Sequence, residues 1–214
     1  MPPSLRFVCL AALILTVAGC ASAYYGTMER FGFEKRDILV DRVEDARKEQ
    51  ADAQVVFASA LDEFRALVAV DGGELERQYD KLNASYERSK RQAADVRTRI
   101  NAVESVGSRL FREWRQELKL YESADLRRRS EQQLLSTERD YETLIAAMNR
   151  AADKMDPVLA LYQDQVLFLK HNLNARAISS LDIERAEIEA RVEALISEMN
   201  EAIAEADSFI ASMK

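Results

Sequence analysis

Proline is nearly missing from this sequence: three residues in 214, two of them Pro2 and Pro3. Glycine is scarce too, with six in all, and between Phe33 and Asp156 only Gly72, Gly73 and Gly107 interrupt the chain. Sheets and irregular loops need more punctuation than that, so composition alone favours helix. Histidine occurs once, at His171, and cysteine twice, at Cys9 and Cys20. Zinc sites built from several imidazole or thiolate ligands are thereby excluded. So is a di-iron carboxylate bundle, which needs Glu-x-x-His on two helices, because Phe168 stands three before His171. No Gly-rich phosphate loop, nucleophile elbow or calcium loop occurs. The 37 carboxylates are scattered, and nothing selects an acid and a base among them. The sequence reads as a non-enzyme with no catalytic, cofactor-binding or metal-binding residue and no cofactor. A basic excess is missing as well: the net charge is −7. Nucleic acid is therefore not an expected partner, since binding phosphates takes surplus Lys and Arg.

What is present begins with a leader. Arg6 precedes an apolar run, residues 7–17, broken only by Thr16. It is too short for a bilayer, which takes about 20 residues, and right for the centre of a signal peptide. It closes in Leu15-Thr16-Val17-Ala18-Gly19-Cys20. This resembles a lipobox, in which small residues fit the peptidase and the thiol receives lipid before cleavage. Ala21-Ser22-Ala23 offers a competing site for ordinary signal peptidase, whose use would release the chain without Cys20. The end of the apolar run lies at the right distance for Cys20. Cys9 falls in the leader, so no disulfide forms within the processed chain. The expected organisation is 1–19 lipoprotein signal peptide, 20–33 lipidated anchor and short tether, and 34–214 a single helical domain. With Ala21 after the cysteine, the expected location is the periplasmic face of the outer membrane, held by the lipid.

The body carries apolar residues at alternating spacings of four and three, the pattern of helices packed along a seam. The first run is Leu39, Val43, Ala46, Gln50, Ala53, Phe57, Ala60, Phe64 and Leu67. A turn at Asp71-Gly72-Gly73 is expected to stop it. The second runs from Leu75 through Leu82, Tyr86, Ala93, Ile100, Val103 and Leu110 to Trp114, Glu117 and Tyr121, with Gly107 on the seam as a close helix crossing. Ser123 and Asp125 are candidate caps for a third helix. Its run, from Leu134 to Leu169, passes Pro157 without losing phase and predicts one kinked helix. Lys170, His171 and Arg176 are expected in its last turns, where cations complement the helix dipole. The fourth, Leu181 to Met213, takes Ser179 or Ser180 as its cap. The prediction is an all-α, elongated up-down bundle, or antiparallel coiled coil, of four long helices near 34–70, 74–122, 125–176 and 180–213.

Two stretches carry a resemblance: Lys35-Arg36-Asp37-Ile38-Leu39-Val40-Asp41-Arg42-Val43 and Asp164-Gln165-Val166-Leu167-Phe168-Leu169-Lys170-His171-Asn172-Leu173-Asn174-Ala175. With Tyr24-Tyr25 and the Gly72-Gly73 turn, they resemble a family of small bacterial lipoproteins catalogued only as a domain of unknown function (DUF2959). The resemblance covers essentially the whole processed chain. It implies a helical, coiled-coil-containing envelope protein and supplies no activity, cofactor or catalytic residue.

Charge is uneven along the body. Residues 109–129 hold seven bases and four acids, a net of +3, while residues 182–207 hold two bases and nine acids, a net of −7. Unequal helix lengths place residues 109–136 as an overhang of about 15–20 Å on the anchored side. Arg127, Arg128 and Arg129 open the third helix, where cations oppose its dipole. Either they pair with acids of a neighbouring helix or they are membrane-contact residues at an anionic surface. Tyr24, Tyr25, Phe31 and Phe33 suit the same interface.

The leading expectation for function is a structural or adaptor lipoprotein that meets an unidentified protein partner through helical surfaces; self-association into a homo-oligomer stays open. The alternative is a periplasmic binding module holding an apolar or aromatic ligand among Tyr79, Tyr86, Trp114, Tyr121, Tyr141 and Tyr162. The anchor is tested directly. Wild-type chain should take up labelled palmitate, and Cys20→Ala should take up none and accumulate uncleaved. Normal-rate cleavage of Cys20→Ala after Ala23, with an unlabelled wild type, contradicts the anchor.

Overall fold

The computed structural model describes the backbone of residues 3–68, 75–172 and 175–214, and side chains within 35–68, 76–172 and 185–214. Four helices follow in order: α1 (Pro3–Val68), α2 (Leu75–Glu117), α3 (Ala124–His171) and α4 (Ala175–Met213), with a single 3₁₀ turn at Leu118–Leu120 after α2. No strand occurs among the described residues. Contacts join α1 to α2, α2 to α3, α3 to α4 and α4 back to α1. That ring is an up-down-up-down four-helix bundle, the all-α architecture that the heptads predict. The backbone of α1 is helical through residues 20–33, so the expected tether continues the first helix. The Asp71-Gly72-Gly73 turn lies outside the described residues.

The seams form the core. All nine positions of the first run, Leu39 to Leu67, are buried, including the polar Gln50. On α2 burial holds from Leu82 to Leu110; on α3 it runs from Leu134 to Leu169, and on α4 from Ile188 to Met213. Among the described residues the core begins at Leu39. Each fully buried Leu, Phe or Met contributes about 1.5–3 kcal/mol, against about 0–1 kcal/mol for an exposed ion pair. Burial therefore holds the bundle. The ion pairs, exposed on at least one side, fix which residues stand opposite: Arg88–Glu63 between α2 and α1, Arg97–Asp156 between α2 and α3, Arg150–Glu201 between α3 and α4, and Arg65–Glu189 between α1 and α4.

Three helix ends differ from expectation. Helix α2 stops at Glu117 rather than 122: its last turn tightens to 3₁₀ and Tyr121 turns extended, at ψ 122°. Ser123 then caps α3 as expected, its hydroxyl accepting from the Leu126 amide at 3.4 Å. Helix α3 ends at His171, five residues early, because Asn172 takes over its carbonyls: its amide donates to Leu169 at 3.1 Å and its side chain to Phe168 at 3.0 Å. Lys170 and His171 do lie in the last turn of α3, whereas Arg176 belongs to the first turn of α4. The backbone of Ser179 and Ser180 consequently lies inside α4 rather than at its start. Pro157 sits within an unbroken α3, so one helix rather than two passes it. Arg97 binds the turn just before it, donating to the Ala152 carbonyl and to Asp156.

Gly107 does not mark a backbone crossing. It is a socket for Tyr141: a Cβ there would lie 2.5 Å from Cζ of that ring. Tyr141 packs edge-on between Phe111 and Phe209, with centroids 5.1 and 6.2 Å away, and the pair limits how far it can swing. Burial, reinforced by Glu104, pushes the Tyr141 hydroxyl up to about 12. Gly107→Leu should therefore cost about 1–3 kcal/mol through overpacking, seen as a lower Tm. In a Tyr141→Ala background the socket is empty, and Gly107→Ala should instead stabilise by about 1 kcal/mol through helix propensity. The same sign for Gly107→Ala in both backgrounds contradicts the socket.

Candidate functional site at the α2–α3 turn

The four-helix section ends where α4 ends. Arg36 of α1 donates to the Met213 carbonyl at 2.5 Å, and Lys35 pairs with Glu113 of α2. Residues 35, 113 and 213 thus share one level. Beyond it α2 and α3 continue as a hairpin, and α1 continues towards its N-terminus in the same direction. From Glu113 to Leu120 the projection is about 10–12 Å, shorter than expected because α2 stops early.

The seams run on into this hairpin without α4 to cover them. On α2 the next positions are Trp114, Glu117 and Tyr121. On α3, counting back from Leu134, they are Ser130, Arg127 and Ser123. Trp114 and Ser130 close on each other, the indole N–H donating to the hydroxyl at 2.9 Å. Glu117 is half-buried, and burial raises its carboxyl above the usual range against the pull of Lys35. Tyr121, expected in the core, is 40% exposed because no fourth helix reaches it. Leu120 and Leu126, on either side of the turn, are 44% and 54% exposed.

The bases here are only partly used. Arg115 pairs with Glu138 on α3, and Arg128 with Asp125 one turn earlier on its own helix. Arg109 donates to the Ser105 hydroxyl at 3.1 Å. The side chains of Arg112, Lys119, Arg127 and Arg129 are exposed and have no ion-pair or hydrogen-bond partner among the described residues. Pairing with acids of a neighbouring helix, one of the two expectations, is not made by Arg127, Arg128 or Arg129 among the described residues. Four acids of α4 are engaged elsewhere: Glu189, Glu198, Glu201 and Asp207 pair with Arg65, Arg150 and Arg47 along the bundle's flank. Sequence reasoning found the arginines but missed Leu120 and Leu126. Their signal was two leucines off the seam phase beside a turn.

The other expected sites separate. Tyr162 is buried, its hydroxyl without a protein partner and shifted upward chiefly by burial. Tyr86 is buried on α2 and Tyr79 half-buried, so the seam aromatics are spread along the bundle rather than gathered round one space. A groove of about 400 Å³ runs between α1 and the end of α4, lined by Arg36, Val40, Glu44 and Met213, and involves none of them. Among the described residues no three His, Cys, Asp or Glu side chains cluster to hold a metal ion, and no helix is long and apolar enough to cross a membrane. The side chains of Cys20, Tyr24, Tyr25, Phe31 and Phe33 lie outside the described residues.

A family model described as "Protein of unknown function (DUF2959)" matches residues 24–213. The chain belongs to this family. The family domain spans the whole bundle and begins four residues after Cys20. No curated protein and no solved structure matches the chain.

Proposed function

We propose that this member of the family is a non-enzymatic envelope lipoprotein, anchored by lipid at Cys20 on the periplasmic face of the outer membrane and acting as a helical adaptor for a protein partner. The observation that carries the reading is the small-residue run ending in Cys20, which closes the leader just ahead of the family domain. The bundle supports it as a spacer: α3 alone has 48 residues, about 70 Å of rigid length, enough to hold a contact surface well away from an anchor. Val55 and Leu135 on its flanks, and Leu167 and Phe168 at its far end, are large apolar side chains left exposed, the kind of contact a partner helix buries. One observation favours the alternative, a module for an apolar or aromatic ligand: the Tyr162 hydroxyl, buried without a protein partner beside the seam.

Photocrosslinking in living cells separates the two. A photoreactive residue at Val55 or Phe168 should give one or a few discrete adducts with envelope proteins, and Cys20→Ala should abolish them. Absence of discrete adducts at either position, together with a Tm raised by lipids or small aromatic compounds, would contradict the adaptor and favour the ligand module.

A further inference from the structure

The α2–α3 turn joins features that the bundle leaves unused. Leu120, Tyr121 and Leu126 are exposed at a tip where an unpartnered apolar side chain gains nothing from folding. Lys119, Arg127 and Arg129 flank them in sequence with no side-chain partner among the described residues, in a chain whose acids outnumber its bases 37 to 30. Within residues 119–129 four bases face two acids, Glu122 and Asp125, and Asp125 is occupied by Arg128. Apolar residues ringed by cations, with a tyrosine between them, match the chemistry of a bilayer interface. A protein partner would have to set a carboxylate opposite each cation, whereas an anionic leaflet offers phosphates over its whole surface.

We propose that this turn is a membrane-docking tip, in which Leu120, Tyr121 and Leu126 enter the headgroup region of a bilayer while Lys119, Arg127 and Arg129 bind the phosphates of its anionic lipids. Its biological setting rests on the anchored-envelope reading. From Lys35 the helix of α1 runs back to Cys20 over about 22 Å, in the direction in which the tip projects. An anchored bundle that tilts brings the tip and the lipidated end to one surface, with the four-helix section rising away from it. The lipid fixes the protein to the membrane, and the tip fixes its orientation.

The test uses the processed chain from Cys20 onward, carrying Cys20→Ser so that it bears no lipid. It should bind vesicles of phosphatidylcholine mixed with phosphatidylglycerol, bind phosphatidylcholine alone far less, and weaken as salt shortens the screening length. Replacing Lys119, Arg127 and Arg129 together with Ser should lower partitioning about 100-fold, about fivefold for each base. Leu120→Ser with Leu126→Ser should weaken it further at high salt. All five side chains are exposed, so thermal melts should match the wild type. Equal binding to both vesicles, no binding to either, or full binding by the triple variant would overturn the proposal. So would self-association in sedimentation that the leucine variant abolishes, since the tip's occupant would then be a second copy of the chain. Palmitate labelling of Cys20 is untouched by any of these outcomes, so the two readings fail separately.

Discussion

Four apolar seams exclude water only where four helices are present, and in this bundle α4 runs out at Met213, level with Arg36 of α1 and Glu113 of α2. Up to that level the seams are dry: Leu39, Leu110, Leu134 and Phe209 are all buried near the end of the section. Past it the same spacing continues on α2 and α3, but its residues change character to Trp114, Glu117 and Tyr121 on one side and Ser130 and Arg127 on the other. Among the described residues the hairpin is joined by the Trp114–Ser130 hydrogen bond and the Arg115–Glu138 pair. The end of α4 thus decides both where the core stops and where an amphipathic surface begins.

The charge distribution follows from the same geometry. Four acids of α4, Glu189, Glu198, Glu201 and Asp207, pair with arginines of α1 and α3, each pair exposed enough to contribute about 0–1 kcal/mol. Such pairs add little stability, yet they oppose a one-turn slip between helices whose seams would tolerate it. The basic segment lies beyond the reach of α4, so its net charge stays uncompensated. A sequence tally places the two blocks side by side; the bundle places them at different levels.

Most of the architecture is legible in the sequence because heptad spacing reports directly on burial. The nine seam positions of α1, the unbroken passage of α3 through Pro157 and the Ser123 cap all follow from local pattern and local chemistry. What misleads is the assumption that a seam residue is buried wherever the phase holds. Tyr121 keeps phase and is exposed, since burial depends on a partner helix whose length local pattern does not encode. Gly107 misleads in the opposite way: its lack of a side chain suggests a backbone crossing, whereas the space is filled by Tyr141 from 34 residues along the chain. The end of α3 escapes because Asn172 intercepts two carbonyls before the apolar run gives any sign of stopping. At the tip, Arg127, Arg128 and Arg129 stand out as a charge run, but Arg128 is satisfied within its own helix, and the part played by Leu120 and Leu126 appears only once the turn is built.

The hairpin projecting past α4 is the surface proposed to turn towards the membrane. The most direct measurement of this is the depth of single labels in the acylated protein reconstituted into bilayers containing phosphatidylglycerol. With the Cys20 thiol acylated, as the proposed anchor requires, a cysteine introduced at Leu126 or at Val55, exposed on the flank of α1, takes the label alone. The label at 126 should be shielded from a water-soluble quencher and reached by a lipid-phase one, with the label at 55 showing the reverse. Equal access of the aqueous quencher to both positions would contradict the account.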